Sequence, residues 1–199
     1  MLADENDFRH QLLAQFENTL RDRIQASVVC DVACGEGYLA RFLVQLGAKH
    51  VIGIASATEL IATAQERANN AHMIFRVYDA QTLETIADET IDIVVSQLAL
   101  MDIPDHRGVF RSAYRVLRHN GIFAFSLLHR CFEGPFQAPA ESQSLRGNTG
   151  NETACVVRHY DEEGYWCSGG TGVRGHMGAY HRTLSTLIND LESIGFRLD

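Results

Sequence analysis

Val28-Val29-Cys30-Asp31-Val32-Ala33-Cys34-Gly35-Glu36-Gly37 is the stretch on which the fold turns. A short β-branched run gives way to two glycines one residue apart, and Tyr38 to Leu46 then follows with helical spacing as far as Gly47. A buried strand, a glycine turn and a helix in that order open a parallel βαβ unit. Glycines in such a turn let the backbone approach a ligand closely, and the helix behind them presents N–H groups to an anionic group. By spacing alone, Gly35-Glu36-Gly37-Tyr38-Leu39-Ala40 fits the G-x-G-x-x-G/A pattern of dinucleotide sites. Two carboxylates weigh against a pyrophosphate, because Asp31 ends the strand and Glu36 sits inside the loop. A ligand bearing an ammonium group suits them better.

The alternation continues on both sides of this unit. Residues 4–26 carry Leu12, Leu13, Phe16, Leu20 and Ile24 at spacings of an amphipathic helix. Strands are expected at 50–54, 73–77, 91–96 and 122–128, and helices at 58–71 and 107–117. Strands alternating with helices imply right-handed crossovers and an α/β, doubly wound parallel sheet with helices on both faces. Ligands of such sheets bind outside the carboxyl ends of the strands, here the loops after residues near 32, 54, 77, 96 and 128. Residues 129–182 break the pattern. Nine of the 16 glycines fall between Gly134 and Gly178, which marks a loop-rich insertion. Helical spacing resumes at Leu184, Leu187, Ile188, Leu191 and Ile194, Gly195 ends that helix, and Phe196-Arg197-Leu198-Asp199 begins another expected strand.

With 199 residues, 46% of them hydrophobic and 21% charged, the chain is long and apolar enough for one domain with a real core. A net charge of −8, with no basic run longer than a pair, argues against a grip on nucleic acid. Five cysteines, an odd number without a C-x-x-C pair, make poor material for a disulfide framework or a metal cluster. No metal is expected, and a reducing cytoplasm fits this usage. The first seven residues are too acidic to begin a signal peptide, and no apolar stretch reaches the ~18–20 residues of a membrane span. The expectation is a cytoplasmic protein with no membrane partner.

Asp31-Val32-Ala33-Cys34-Gly35-Glu36-Gly37 resembles the first motif of the class I S-adenosylmethionine-dependent methyltransferases, usually D-x-G/A-C-G-x-G. Val51-Ile52-Gly53-Ile54, Tyr78-Asp79-Ala80 and Ile91-Asp92-Ile93-Val94-Val95-Ser96 are similar to later motifs in order and spacing. Gln97-Leu98-Ala99-Leu100-Met101-Asp102-Ile103-Pro104 resembles the loop these enzymes wrap around the adenosyl group. The resemblance covers about residues 28–130 and returns weakly at Tyr180-His181-Arg182-Thr183-Leu184-Ser185-Thr186. It implies a Rossmann-like sheet of about six to seven mostly parallel strands. It also implies S-adenosylmethionine as cofactor, with S-adenosylhomocysteine as product. Asp31 and the backbone at Ala33, Gly35 and Gly37 would hold the methionine part. Asp79 would accept from the adenine amino group, Ala80 would donate its N–H to the ring, and Gln97 and Leu98 would line the sulfonium side. The family places an acid at the end of the second strand for the ribose hydroxyls, and here that position is Ala55. Losing those two bonds costs on the order of 2–4 kcal/mol, and Glu59, one turn into the next helix, is the nearest substitute.

For chemistry, the candidate bases are His129 after the fifth strand, His106 after the fourth and His181 before the last helix, since a near-neutral imidazole takes a proton from a hydroxyl or amine. Tyr160, Tyr165 and Trp166 can supply an aromatic lid. The loop after the fourth strand lacks the N/D-P-P-aromatic pattern of enzymes that methylate base amino groups. One domain is therefore expected: a helical lid at 1–26, a cofactor-binding core at 27–128, the insertion at 129–182, and a last helix and strand at 183–199. Measured against the family's usual final strand, either the sheet is incomplete, another segment fills the gap, or the chain is a shortened version of a longer protein; an exposed edge there would favour a homodimer. The expected activity is methyl transfer to an O or N atom of a small-molecule acceptor. The alternatives are a protein that cyclises or cleaves the cofactor, or a catalytically silent partner subunit. A nicotinamide enzyme would need an acid or arginine that Ile54-Ala55-Ser56-Ala57 does not offer.

Overall fold

The computed structural model describes residues 5–68, 70–128, 160–167 and 176–198. The chain forms two compact units, one of Met1–Ala99 with Asp105–Ser126 and one of Leu100–Pro104 with Leu127–Asp199.

In the first unit, α1 (Glu5–Leu20) precedes β1 (Val28–Val32), α2 (Tyr38–Gln45), β2 (His50–Ala55), α3 (Thr58–Arg67), β3 (Met73–Val77), β4 (Ile91–Gln97), α4 (His106–Val116) and β5 (Leu117–Ser126). The five strands form one sheet in the order β3-β2-β1-β4-β5, every pair parallel. The winding runs outward from β1 to β3 and then reverses through β4 to β5, so the switch point lies between β1 and β4. One cross-strand row reads Ala124, Val95, Asp31, Gly53, Phe75. Its face packs the main core, in which Leu39 and Leu43 of α2, Ile61 and Ala64 of α3, and Phe16 and Leu20 of α1 join Val29, Val51, Ile93 and Val95. The opposite face carries Phe123 and Phe125; Phe110 of α4 meets Phe123 edge-on at 5.8 Å and stacks on Phe125 at 6.1 Å. The doubly wound arrangement with helices on both faces is thus present.

Three details depart from expectation. Among the described residues the sheet has five strands, where about six to seven are expected. Phe196 to Leu198 do not form a strand, because the helix before them closes tightly: Gly195 adopts φ 118°, and its N–H and that of Phe196 both return to Leu191 O at 3.2 and 3.1 Å. The last strand also begins at Leu117, directly after α4, with a register irregularity opposite Ile91 to Ile93.

The second unit contains a short 3₁₀ turn (Leu100–Asp102), an antiparallel pair β6 (Gly164–Trp166) and β7 (Ala179–His181), and α5 (Leu184–Ile194). The pair lies within the stretch expected to be loop-rich, whose three-residue strands are too short to show a period.

Candidate functional site

The β1–α2 loop is built from left-handed backbone. Ala33, Gly35 and Gly37 have φ of 59°, 54° and 75°. The Cys34 N–H donates to Ile54 O of the neighbouring strand at 3.0 Å, and the Gly37 N–H donates to Cys34 O at 2.9 Å. The two glycines serve different ends. A Cβ at Gly37 would lie 2.5 Å from Cζ of Phe75, whereas one at Gly35 would meet no atom within 4 Å. Gly37 is therefore required by packing, and Gly35 presents its backbone outward.

Asp31 is 1% exposed. Burial pushes its carboxyl up to about 8, against the opposing pull of a hydrogen bond from the Ala40 N–H in the first turn of α2. Its Oδ2 is buried without a hydrogen-bond partner. Glu36, the other acid of the loop, is paired with Arg67 in the last turn of α3, and its carbonyl accepts from Arg41 at 2.7 Å. The second carboxylate read from the sequence is thus already balanced, and Asp31 alone is left to receive a cation.

At the end of β2, Ala55 is 7% exposed and part of the core. Glu59 is exposed in the first turn of α3, where no side chain caps the helix and an acid offsets the dipole. After β3, both oxygens of Asp79 accept from the Gln81 amide at 3.0 Å, and Oδ1 also accepts from the Gln81 N–H at 2.8 Å. The loop that holds Asp79 is itself tied down, since Ser112 of α4 donates to Gln81 O at 2.7 Å. Ala80 is buried beside it. After β4, Gln97 is half-buried and Leu98 has φ 51°, with its N–H bonded to Ser126 O and Oγ at 3.0 and 3.2 Å. Asp31, Ala33, Gly35, Gly37, Ala55, Asp79, Ala80, Gln97 and Leu98 therefore all belong to the carboxyl ends of four strands of one sheet. Ser126 and the Glu36–Arg67 pair were not anticipated, and a serine at a strand end carries no signal of its own.

The histidines are placed differently. His106 opens α4, is 8% exposed and lies edge-on to Phe110 at 5.4 Å. His181 ends β7, is 1% exposed and has its Nε2 2.7 Å from Tyr160 O, with the two rings 5.6 Å apart. His129 lies outside the described residues. Of the expected aromatic lid, Tyr160 accepts the Leu184 N–H of α5 on its hydroxyl and lies against His181 of β7, and Tyr165 of β6 packs on Tyr180 of β7 at 5.3 Å.

Residues 30–125 match the methyltransferase domain family. The chain is 26% identical over 159 residues to a malonyl-[acyl-carrier protein] O-methyltransferase of Bacillus cereus, covering 77% of this chain and 56% of that protein. Just under half of the chain is thus similar to a methyltransferase domain. The chain is also 29% identical over 132 residues to a ubiquinone biosynthesis O-methyltransferase of Pseudomonas entomophila, covering 63% of this chain and 56% of that protein. Its fold superposes on an S-adenosylmethionine-dependent methyltransferase from Mesorhizobium loti with a TM-score of 0.77 at 22% identity, over 92% of this chain and 81% of that one. The chain spans little more than half the length of these curated relatives.

The residues at these strand ends fit S-adenosylmethionine at its amino-acid end. A buried carboxyl with an unpartnered oxygen matches an ammonium group, and the backbone at Gly35 stands where no side chain intervenes. At the ribose end the fit rests on fewer groups, because Ala55 offers no polar side-chain atom. Among the described residues, no helix is long and apolar enough to cross a membrane.

Proposed function

We propose that this chain binds S-adenosylmethionine across the carboxyl ends of β1 to β4 and transfers its methyl group to an O or N atom of a small molecule. The observation that carries the reading is the buried Asp31 carboxyl, whose Oδ2 has no hydrogen-bond partner, beside a loop of three left-handed residues. Asp31 and the loop backbone hold the amino-acid end, Asp79 and Ala80 the adenine, and Gln97 and Leu98 the sulfonium side. Glu59 is the acid nearest in the chain to the ribose position. When bound, the cofactor supplies a methyl group already activated by its sulfonium. The work left to the protein is orientation, with a base needed only for a weakly nucleophilic acceptor. His129 is proposed as that base, because His106 and His181 are both packed against aromatic rings. Relatives named as O-methyltransferases favour an oxygen acceptor. A homodimer through β5, the last strand of the sheet, belongs to the same proposal.

Calorimetric titration with S-adenosylhomocysteine tests it. Binding in the micromolar range is expected; no heat and no thermal shift at millimolar ligand would sink the reading. The apolar Ala55 supports a second reading, in which the cofactor is bound but cleaved or cyclised, or only held. Mass spectrometry after incubation with the cofactor alone separates the two, since a methyltransferase leaves it intact without an acceptor.

A further inference from the structure

The Tyr180-His181-Arg182-Thr183 stretch has no part in the function proposed above, yet it contains a buried cation. Arg182 is 7% exposed. Its Nη1 donates to Leu100 O at 2.9 Å, and its Nη2 donates to Ile103 O and Pro104 O, each at 2.7 Å. The face of Tyr180 lies 5.1 Å from the guanidinium carbon. A turn as short as Leu100–Asp102 leaves carbonyls that it cannot pair internally. A planar fork with five N–H donors is suited to collecting several of them at once, which a lysine is not.

The carbonyls that Arg182 gathers begin at Leu100, two residues after Leu98. Leu98 is held on its own side by Ser126, in a backbone conformation that side chains rarely adopt. The segment from Leu98 to Pro104 is thus fixed at its start by Ser126 and at its end by Arg182. Arg182 is held firmly as well. Pairing of β6 with β7 precedes it, and Thr183 after it donates its N–H to Glu163 Oε1 at 2.6 Å while its hydroxyl caps α5 at the Thr186 N–H.

We infer that Arg182 is a positioning residue: through the carbonyls of Leu100, Ile103 and Pro104 it sets the conformation of the loop after β4, and through that loop the hold of Gln97 and Leu98 on the cofactor. The inference rests on the cofactor reading given above. The full chain and its Arg182→Ala and Arg182→Lys variants are compared by calorimetry with S-adenosylhomocysteine and by hydrogen exchange. Arg182→Ala is expected to weaken binding at least about tenfold and to speed exchange across residues 97–104, while β6, β7 and α5 exchange as in the parent. Guanidinium chloride at tens of millimolar should restore much of the affinity to Arg182→Ala, where equal sodium chloride does not, and Arg182→Lys should recover only part of it. Unchanged affinity in Arg182→Ala overturns the inference. So does faster exchange throughout residues 160–198, which marks a merely structural role, or failure of guanidinium to restore binding. If the parent itself does not bind S-adenosylhomocysteine, the cofactor reading fails, and exchange across 97–104 alone decides whether Arg182 holds the loop.

Discussion

Asp31 stands in a row of apolar residues with one oxygen unpaired, and two measurable consequences follow. In the unfolded chain its carboxyl ionises near pH 4, whereas burial in the fold retains the proton to about pH 8. Between those values the folded state binds a proton that the unfolded state has released, so this residue's contribution to stability falls as pH rises through the window. Asp31→Asn should flatten that pH dependence in thermal unfolding and leave the variant more stable than the parent at pH 8, while binding of S-adenosylhomocysteine is lost. In the parent, the ligand's ammonium group should displace most of a proton at pH 7, seen as a binding heat that varies with the buffer's ionisation heat. The two glycines make a second pair of tests. Gly35→Ala introduces only a strained φ, worth about 1–2 kcal/mol, and should abolish binding in a protein that still folds. Gly37→Ala adds a clash with the buried Phe75 ring and should lose about 2–5 kcal/mol of stability by denaturant titration.

Helix α1 was expected to act as a lid, and its inner face is part of the core. Phe16 is 4% exposed and Leu20 fully buried, in the same cluster as Val29, Leu43 and Val51. The Tyr38 hydroxyl also donates to Arg9 O at 3.1 Å, which ties α1 to the first turn of α2 behind the glycine loop. Leu20→Ala should therefore cost about 2–5 kcal/mol in urea unfolding, as truncation of a core leucine does, rather than affect ligand closure alone. A loss of under 0.5 kcal/mol with unchanged m-value would show that the helix is peripheral. The strands behave in a way their sequences explain. β1 and β4 are buried along almost their whole length, hence continuous apolar runs, whereas β3 at the edge alternates buried Met73 and Phe75 with exposed Ile74 and Arg76.

For the whole molecule, ligand binding and stability are one equilibrium. Saturation with S-adenosylhomocysteine at a hundred times its dissociation constant should stabilise the folded state by about 2.7 kcal/mol, a rise of several degrees in melting temperature. The order of strands and helices, the glycine turn and the placing of the site at the strand ends were legible in the chain. These features are written in local spacing, in β-branched runs and in the glycines that a left-handed backbone favours. The Asp79–Ala80 and Gln97–Leu98 loops could be located for the same reason, by counting from strand ends. The partners of the charges could not be read. Glu36 is neutralised by Arg67, thirty-one residues on, and Arg182 serves carbonyls about eighty residues back. Nor could the sequence show that His106 and His181 are packed against aromatic rings rather than presented to solvent, or that the turn after α5 closes on Leu191 instead of extending into a strand. Local sequence alone determined where the chain bends and which stretches are buried, because those depend on neighbours one to four residues apart. Only the tertiary structure decided which buried acid keeps an oxygen without a partner, because burial and pairing depend on groups that the fold brings together from distant parts of the chain.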